Sequence, residues 1–231
     1  MEREIPTTEA AERLLSVVRA HGEALEVERL ESKLPSAGTP LARGAFFGLF
    51  AGAGRRFGRK ALSLSEAERE SLAGLGLIES ERHGLPALVR AALLLRAHAV
   101  LDPEAVVELV AEAFEKGDTG ERVAVLRSLS LLPAPERFTE LAVEACRSHV
   151  QEVFEAVACD NPFAAAHFSE LAFNQMIVKV LFTEVPLARV HGWRQRNNDE
   201  LRRMVRDYGA ERRAAGRSIP SDIARIEEST T

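Results

Sequence analysis

Apolar residues recur three and four positions apart along most of this chain, the spacing of helices that bury one face. Leu14, Leu15, Val17 and Val18 form such a stripe behind Thr7 and Thr8. Either threonine suits an N-cap, so a first helix is predicted to about Ala20. From Leu85 onward the pattern is regular, and helices are expected near 85–100, 103–116, 120–132, 135–148 and 150–158. Asp102-Pro103, Gly117-Asp118 and Pro133-Ala134-Pro135 separate them. Proline there sits at or near a first turn, where its missing N–H would have had no partner anyway. Two helices fill about 32 residues, and RVAVLRSLSLLP resembles the inner helix of a HEAT-type repeat. No stretch alternates apolar and polar residues as a half-buried strand would. The expected fold class is all-α with no sheet, built either as stacked helical hairpins (HEAT-like) or as a compact helical bundle.

Residues 32–64 break the rhythm. SKLPSAGTP reads as a loop, and GAFFGLFAGAGRRFGRK follows it with Arg43 just before and no acid within. Glycine at this density predicts a loop between helices. The rival reading is a surface for anionic headgroups or a partner, with Phe46, Phe47, Phe50 and Phe57 inserting beside Arg43, Arg55, Arg56, Arg59 and Lys60. Ser65 with Glu68 has the spacing of a capping box for a short helix to about Leu72.

At CDNPFAAAHFSELAFNQMIVKVLF the character changes. Asp160-Asn161-Pro162 reads as a helix stop and restart, and one helix is predicted from about Pro162 to Phe182, apolar on almost every side. Asn197-Asn198-Asp199-Glu200 then caps a last long helix, with Leu201, Met204, Val205 and Tyr208 on one stripe and Gly216 at its end. On a helical wheel His167, Glu170 and Asn174 fall within about 60° of one another, while Gln175 and Lys179 form a second strip. A helix this apolar should be enclosed by protein, and a polar group shut away without a partner costs about 1–3 kcal/mol, more if charged. Partners are close in sequence. Residues 186–217 hold nine arginines and four acids, in a chain whose net charge is -5. Glu170 is expected to pair with one of those arginines, and Lys179 with Asp207 or Glu211. Such a network either clamps the C-terminal helix onto the buried one or lines a cleft for an anionic or polar ligand.

Other chemistry is thinner. His167 and Glu170 at i and i+3 can serve a metal site in a bundle, but no second Glu-x-x-His accompanies them. Cys159 precedes a helix break, and a nucleophilic thiol needs a depressed pKa and a histidine. GAGRRFG lacks the strand and spacing of a phosphate loop. The arginines alternate with acids and few aromatics stand beside them, which argues against nucleic acid. No cofactor and no metal are called for. Two cysteines in unlike contexts point to a reducing compartment, the N-terminus is too charged for a signal peptide, and no apolar run of about 18 residues suggests a membrane span. The expectation is a cytoplasmic protein of one helical domain over 1–231, with N-terminal helices and the basic segment in 1–84, hairpins in 85–158 and the candidate site region in 159–226.

The last third carries a family resemblance. C-[DE]-N-P, F-x-E, F-N-Q-M, K-x-L-F, P-L-x-R and R-M-x-x-D-Y-x-x-E-R-x-A-A-G-R follow one another over about 70 residues, and the stretch resembles the C-terminal half of the EboA family. RRFGRKALSLSEAE and LVRAALLL resemble that family's N-terminal half more loosely. The resemblance implies metabolite traffic, including export of secondary-metabolite precursors, by a non-enzymatic adaptor or binding protein. It implies partners among proteins of the same operon, such as a UbiA-type membrane prenyltransferase; on the Phe/Arg composition of residues 43–60, a peripheral contact at the inner face of the membrane is the accompanying expectation. It brings no catalytic residue set. An enzyme using Glu170, Lys179 or His167 for proton transfer is the alternative. Carried over by position, the motif residues are Cys159, Asn161, Pro162, Glu170, Asn174, Gln175, Lys179, Arg189, Tyr208, Glu211, Arg212 and Arg217. Phe163 and Ala164 depart from the family's Tyr and Pro, and His191-Gly192-Trp193 is unusual at its turn.

Overall fold

The computed structural model describes residues 5–35, 40–58, 62–78, 80–82 and 84–229. Arg59, Lys60, His83 and residues 36–39 lie outside that set. Among the described residues there are thirteen α-helices and no strand, so the all-α expectation stands.

The helix α5 (Gly84–His98) has apolar residues on every side and is buried on every side. A helix without a polar face must be covered all round. α1 (Thr7–His21), α3 (Arg43–Phe57), α6 (Pro103–Lys116) and α7 (Thr119–Ser128) supply the cover. α9 (Gln151–Ala158) packs on α7 in turn, so alternate helices α5, α7 and α9 form a short row, which α1 and α3 close off beside α5. Arg90 sits inside α5, where its Nε donates to the Phe50 carbonyl at 3.0 Å, its guanidinium lies 5.6 Å from the Phe50 ring, and Glu121 stands 3.7 Å away. That cation ties α3 and α7 to the central helix. One contiguous apolar cluster runs from Ala10 to Ile226.

The capping box at Ser65 and Glu68 opens α4 (Glu66–Ala73) as expected. α3 is a correction: the Phe/Gly segment is a helix, not a loop. Its four glycines cost roughly 1 kcal/mol each against alanine. Phe46, Leu49, Phe50 and Ala53 share one buried face of α3, and burying each large side chain gains about 1.5–3 kcal/mol, so the stripe wins. Phe46 and Phe50 stack on each other at 5.6 Å in the core, so neither can insert into a membrane. α2 (Ala24–Glu31), eight residues long, went unread in the sequence.

The predicted helix over 162–182 is in fact two. α10 (Phe163–His167) ends at Phe168, whose backbone turns extended, and Ser169 caps α11 (Glu170–Phe182) by accepting from the Ala172 N–H at 3.2 Å. The break frees carbonyls that Arg196 collects, donating to Ala165 at 2.7 Å and Phe168 at 2.8 Å. α12 (Asp199–Ala214) and α13 (Asp222–Glu228) complete the chain, α13 packing on α12.

Asn161 holds the junction between α9 and α10. Its buried amide donates to the carbonyls of Leu126 at 3.3 Å and Ala156 at 2.8 Å, and its oxygen accepts from the Phe163 N–H at 3.0 Å and the Ser130 hydroxyl at 3.3 Å. One side chain thus fastens α7, α9 and α10. Replacing it by alanine strands several buried groups at about 1–3 kcal/mol apiece, partly offset by relaxation. Asn161→Ala should therefore lower stability by about 2–4 kcal/mol in urea denaturation with an unchanged slope; a loss under about 1 kcal/mol would mean that the junction is held by packing alone.

Candidate functional site

The residues singled out in the sequence fall into closed scaffold contacts and an open groove, with Glu170 and His167 in neither. In the clamp, Arg189 lies in the turn after α11, and its guanidinium meets Asp160 through two nitrogens at 3.0 and 2.8 Å and Glu155 at 2.5 Å. Asp160 occupies the left-handed region at φ 53°, costly for a side chain with a Cβ, and its N–H donates to the Arg189 carbonyl at 2.8 Å. Backbone and side chain therefore lock the same pair. Arg127 adds a second cation, its pKa pulled to about 10 by burial against the field of Asp160. Burial opposes the Glu155 charge as well, yet hydrogen bonds from Gln151 and Arg189 outweigh it and hold its pKa below the ordinary carboxylate value.

Asn174 is wholly buried in α11, and its amide exchanges two hydrogen bonds with that of Asn198, at 3.1 and 3.2 Å. Asn198 is also the N-cap of α12, accepting from the Leu201 N–H at 2.7 Å. This amide pair joins the two helices near the start of α12.

Beyond it their C-terminal halves frame a half-open groove of about 400 Å³. Gln175, Val178, Lys179 and Phe182 line it from α11, and Tyr208, Glu211, Arg212 and Ala215 from α12 and its cap. Both sets follow i, i+3, i+4, i+7, one face of a helix each. Arg217 completes the lining. It is placed by the end of α12: Gly216 turns left-handed at φ 66°, the Gly216 N–H donates to the Arg213 carbonyl at 3.1 Å, and the Arg217 N–H donates to the Arg212 carbonyl at 2.9 Å. These are the two bonds of a Schellman turn, which needs glycine at its left-handed position.

Lys179 does not pair with Asp207 or Glu211 as expected. Its ammonium donates to the carbonyls of Cys146 at 2.5 Å and Ser148 at 2.7 Å, just past the end of α8 (Thr139–Ala145), and sits 4.5 Å from the centre of the Phe154 ring. The carbonyls left over where that helix ends attract a cation more directly than the exposed carboxylates of α12. Burial lowers the Lys179 pKa. Arg212 donates to the Ser218 carbonyl at 2.6 Å, the Tyr208 hydroxyl at 3.0 Å and the Ser218 hydroxyl at 3.4 Å.

Gln175, Lys179, Tyr208, Glu211, Arg212 and Arg217 thus come together, while Asn161, Asn174 and Arg189 serve the scaffold. Two residues join neither group. Glu170 is exposed in the first turn of α11 and forms no ion pair with an arginine among the described residues, because the helix break turns it to solvent. His167 lies on α10, its ring 4.8 Å from that of Phe163, so it does not share a helix with Glu170 as the wheel supposed. The segment after Pro162 is the start of α10 and not a loop, and Phe163 and Ala164, where the chain departs from the family pattern, are both buried. Cys159 is buried too, and burial pushes its thiol up to about 12, the wrong direction for a nucleophile. Asp160, Arg196 and Phe182 were missed among the site candidates. Phe182 was taken for core, yet 62% of it is exposed at the end of α11. The sign of Asp160 was its place in the C-[DE]-N-P motif, and Arg196 gave none.

The described residues form an all-helical body with a half-open groove between α11 and α12 and an ionic clamp around Arg189. The chain belongs to the EboA family: the family model described as metabolite traffic protein EboA matches residues 11–228. Comparison with curated proteins and with solved structures returns no match.

The clamp predicts a pH signature. Glu155 has a folded pKa below its ordinary 4.5, so its contribution is present above pH 4.5 and disappears as the pH falls through the folded value. Arg189→Met should cost about 2–4 kcal/mol at pH 7, because it leaves carboxylates packed without their cation. The difference between wild type and variant should shrink at pH 3.5. An equal difference at both pH values in urea denaturation would show that Arg189 acts through packing instead.

Proposed function

We propose that this chain is a cytoplasmic, non-enzymatic binding protein of a metabolite-trafficking system, whose α11–α12 groove holds a small polar metabolite, such as a secondary-metabolite precursor, on its way to export. It would present that metabolite to other proteins of the same operon, a UbiA-type membrane prenyltransferase among them. The observation that supports this is the gathering of six family-motif residues on one open groove, in a family described by metabolite traffic.

The alternative, an enzyme using Glu170, Lys179 or His167 for proton transfer, has less support from the geometry. Glu170 and Lys179 are nine residues apart on α11, which is about 13 Å of rise and half a turn from the same face. Lys179 is engaged by two carbonyls and His167 by an aromatic ring. Glu170 and Lys179 therefore do not share a point within hydrogen-bond reach, as acid–base work by that pair requires.

A producing strain carrying Arg217→Ala or Gln175→Ala tests the proposal, since both side chains are exposed and their loss should move stability by under about 0.5 kcal/mol. The expected outcome is precursor retained in the cells at normal protein level and melting temperature. Undiminished export in both variants would remove the groove from the function.

A further inference from the structure

The charges that line the groove suggest what kind of molecule it takes. Within the clamp, two carboxylates cancel the Arg189 cation. The groove treats its cations differently. Lys179 is held by two backbone carbonyls and an aromatic face, and Arg212 by a phenol, a carbonyl and a hydroxyl. Neutral acceptors fix the direction of a cation without neutralising it. The Arg217 guanidinium has no hydrogen bond or ion pair among the described residues. Against these three stand Glu211 in the lining and the exposed Glu184, 3.7 Å from Arg212. The balance remains positive.

Backbone acceptors do not restore it. At the end of α12 the carbonyls of Glu211, Arg212 and Arg213 already accept from Ala215, Arg217 and Gly216. At the end of α11 those of Lys179, Val180 and Leu181 accept from Thr183, Val185 and Glu184. The groove therefore offers an unpaired guanidinium on Arg217 beside donors on Arg212 that are held in place, and these suit an anion. Both helices also contribute apolar lining, Val178 and the largely exposed ring of Phe182 from α11 and Ala215 from the cap of α12. At about 400 Å³ it falls in the range of small-molecule sites and is far too small for a folded partner.

We infer that the groove binds a small organic anion, a carboxylate or phosphate carried on an apolar or aromatic body, with Arg217 and Arg212 on the anionic group and Phe182 against the body. This rests on the binding reading above and adds the ligand's charge and shape to it. Carboxylate and phosphate share the chemistry that Arg217 recognises, so both belong in the test.

Titration of the purified full-length chain with benzoate, phenyl phosphate, inorganic phosphate and benzyl alcohol, followed by ¹⁵N NMR at the Gln175 side-chain amide and the Tyr208 backbone, separates these ideas. Benzoate or phenyl phosphate should saturate those signals, and phenyl phosphate should bind tighter than inorganic phosphate. Arg217→Gln should weaken the organic anions about ten- to a hundredfold, the worth of one charge-assisted contact, while Arg217→Lys retains part of the affinity. Phe182→Ala should weaken phenyl phosphate and leave inorganic phosphate unchanged. If benzyl alcohol binds as well as benzoate and Arg217→Gln changes nothing, the anion proposal is overturned while the groove remains a binding site. If no probe shifts either signal, the anion proposal fails and the groove loses its standing as a metabolite site as well.

Discussion

Every helix end inside this protein leaves backbone groups that need a partner, and the fold is organised by how those groups are satisfied. A body of many short helices creates many such ends, and no sheet is present among the described residues to absorb them. Side chains do the work instead. Lys179 covers the carbonyls after α8, Arg196 those around the end of α10, and Arg122 those of Phe114 and Glu115 near the end of α6. Asn197 does the same for Ile226 and Ser229 around the end of α13. Cations at helix C-termini also oppose the helix dipole, so one contact answers two demands. Removing any of them exposes an unsatisfied carbonyl at a point where two helices meet.

That rule explains why so many motif residues are structural. Asn161, Asn174 and Arg189 each hold a junction, and each is spent on it. It also bears on the groove. Lys179 and Arg212 are oriented by neutral acceptors because they are finishing helices and turns, and both residues also line the space between α11 and α12. Scaffold and candidate site share the same side chains at these two positions. Within the lining, Gln175, Phe182, Glu211, Ala215 and Arg217 are exposed.

Much of this was legible in the sequence, for reasons that differ by element. The helices from α5 onward announced themselves through period and proline punctuation, and the Ser65 capping box was read correctly because its chemistry is local. α3 was not, because glycine content misleads where a buried aromatic stripe decides. The break at Ser169 was missed although serine is a natural N-cap; a continuous apolar run hid it. The gathering of six motif residues followed from helical spacing on two helices. The partners of Lys179 and Arg189 did not, since Cys146, Ser148, Asp160 and Glu155 reach them across the tertiary fold. A greasy helix with charges in it shows that partners must exist, and distance in sequence conceals which ones.

The Schellman turn at Gly216 sets the terms on which this protein can change. It delivers Arg217 to the groove on a turn that packs against nothing close to Gly216. Positions 175, 211 and 217 are surface positions, where substitutions cost little stability. A substitution at 175, 211 or 217 therefore alters the lining of the groove without loosening the frame, whereas one at Asn161 or Arg189 opens the junction that residue closes.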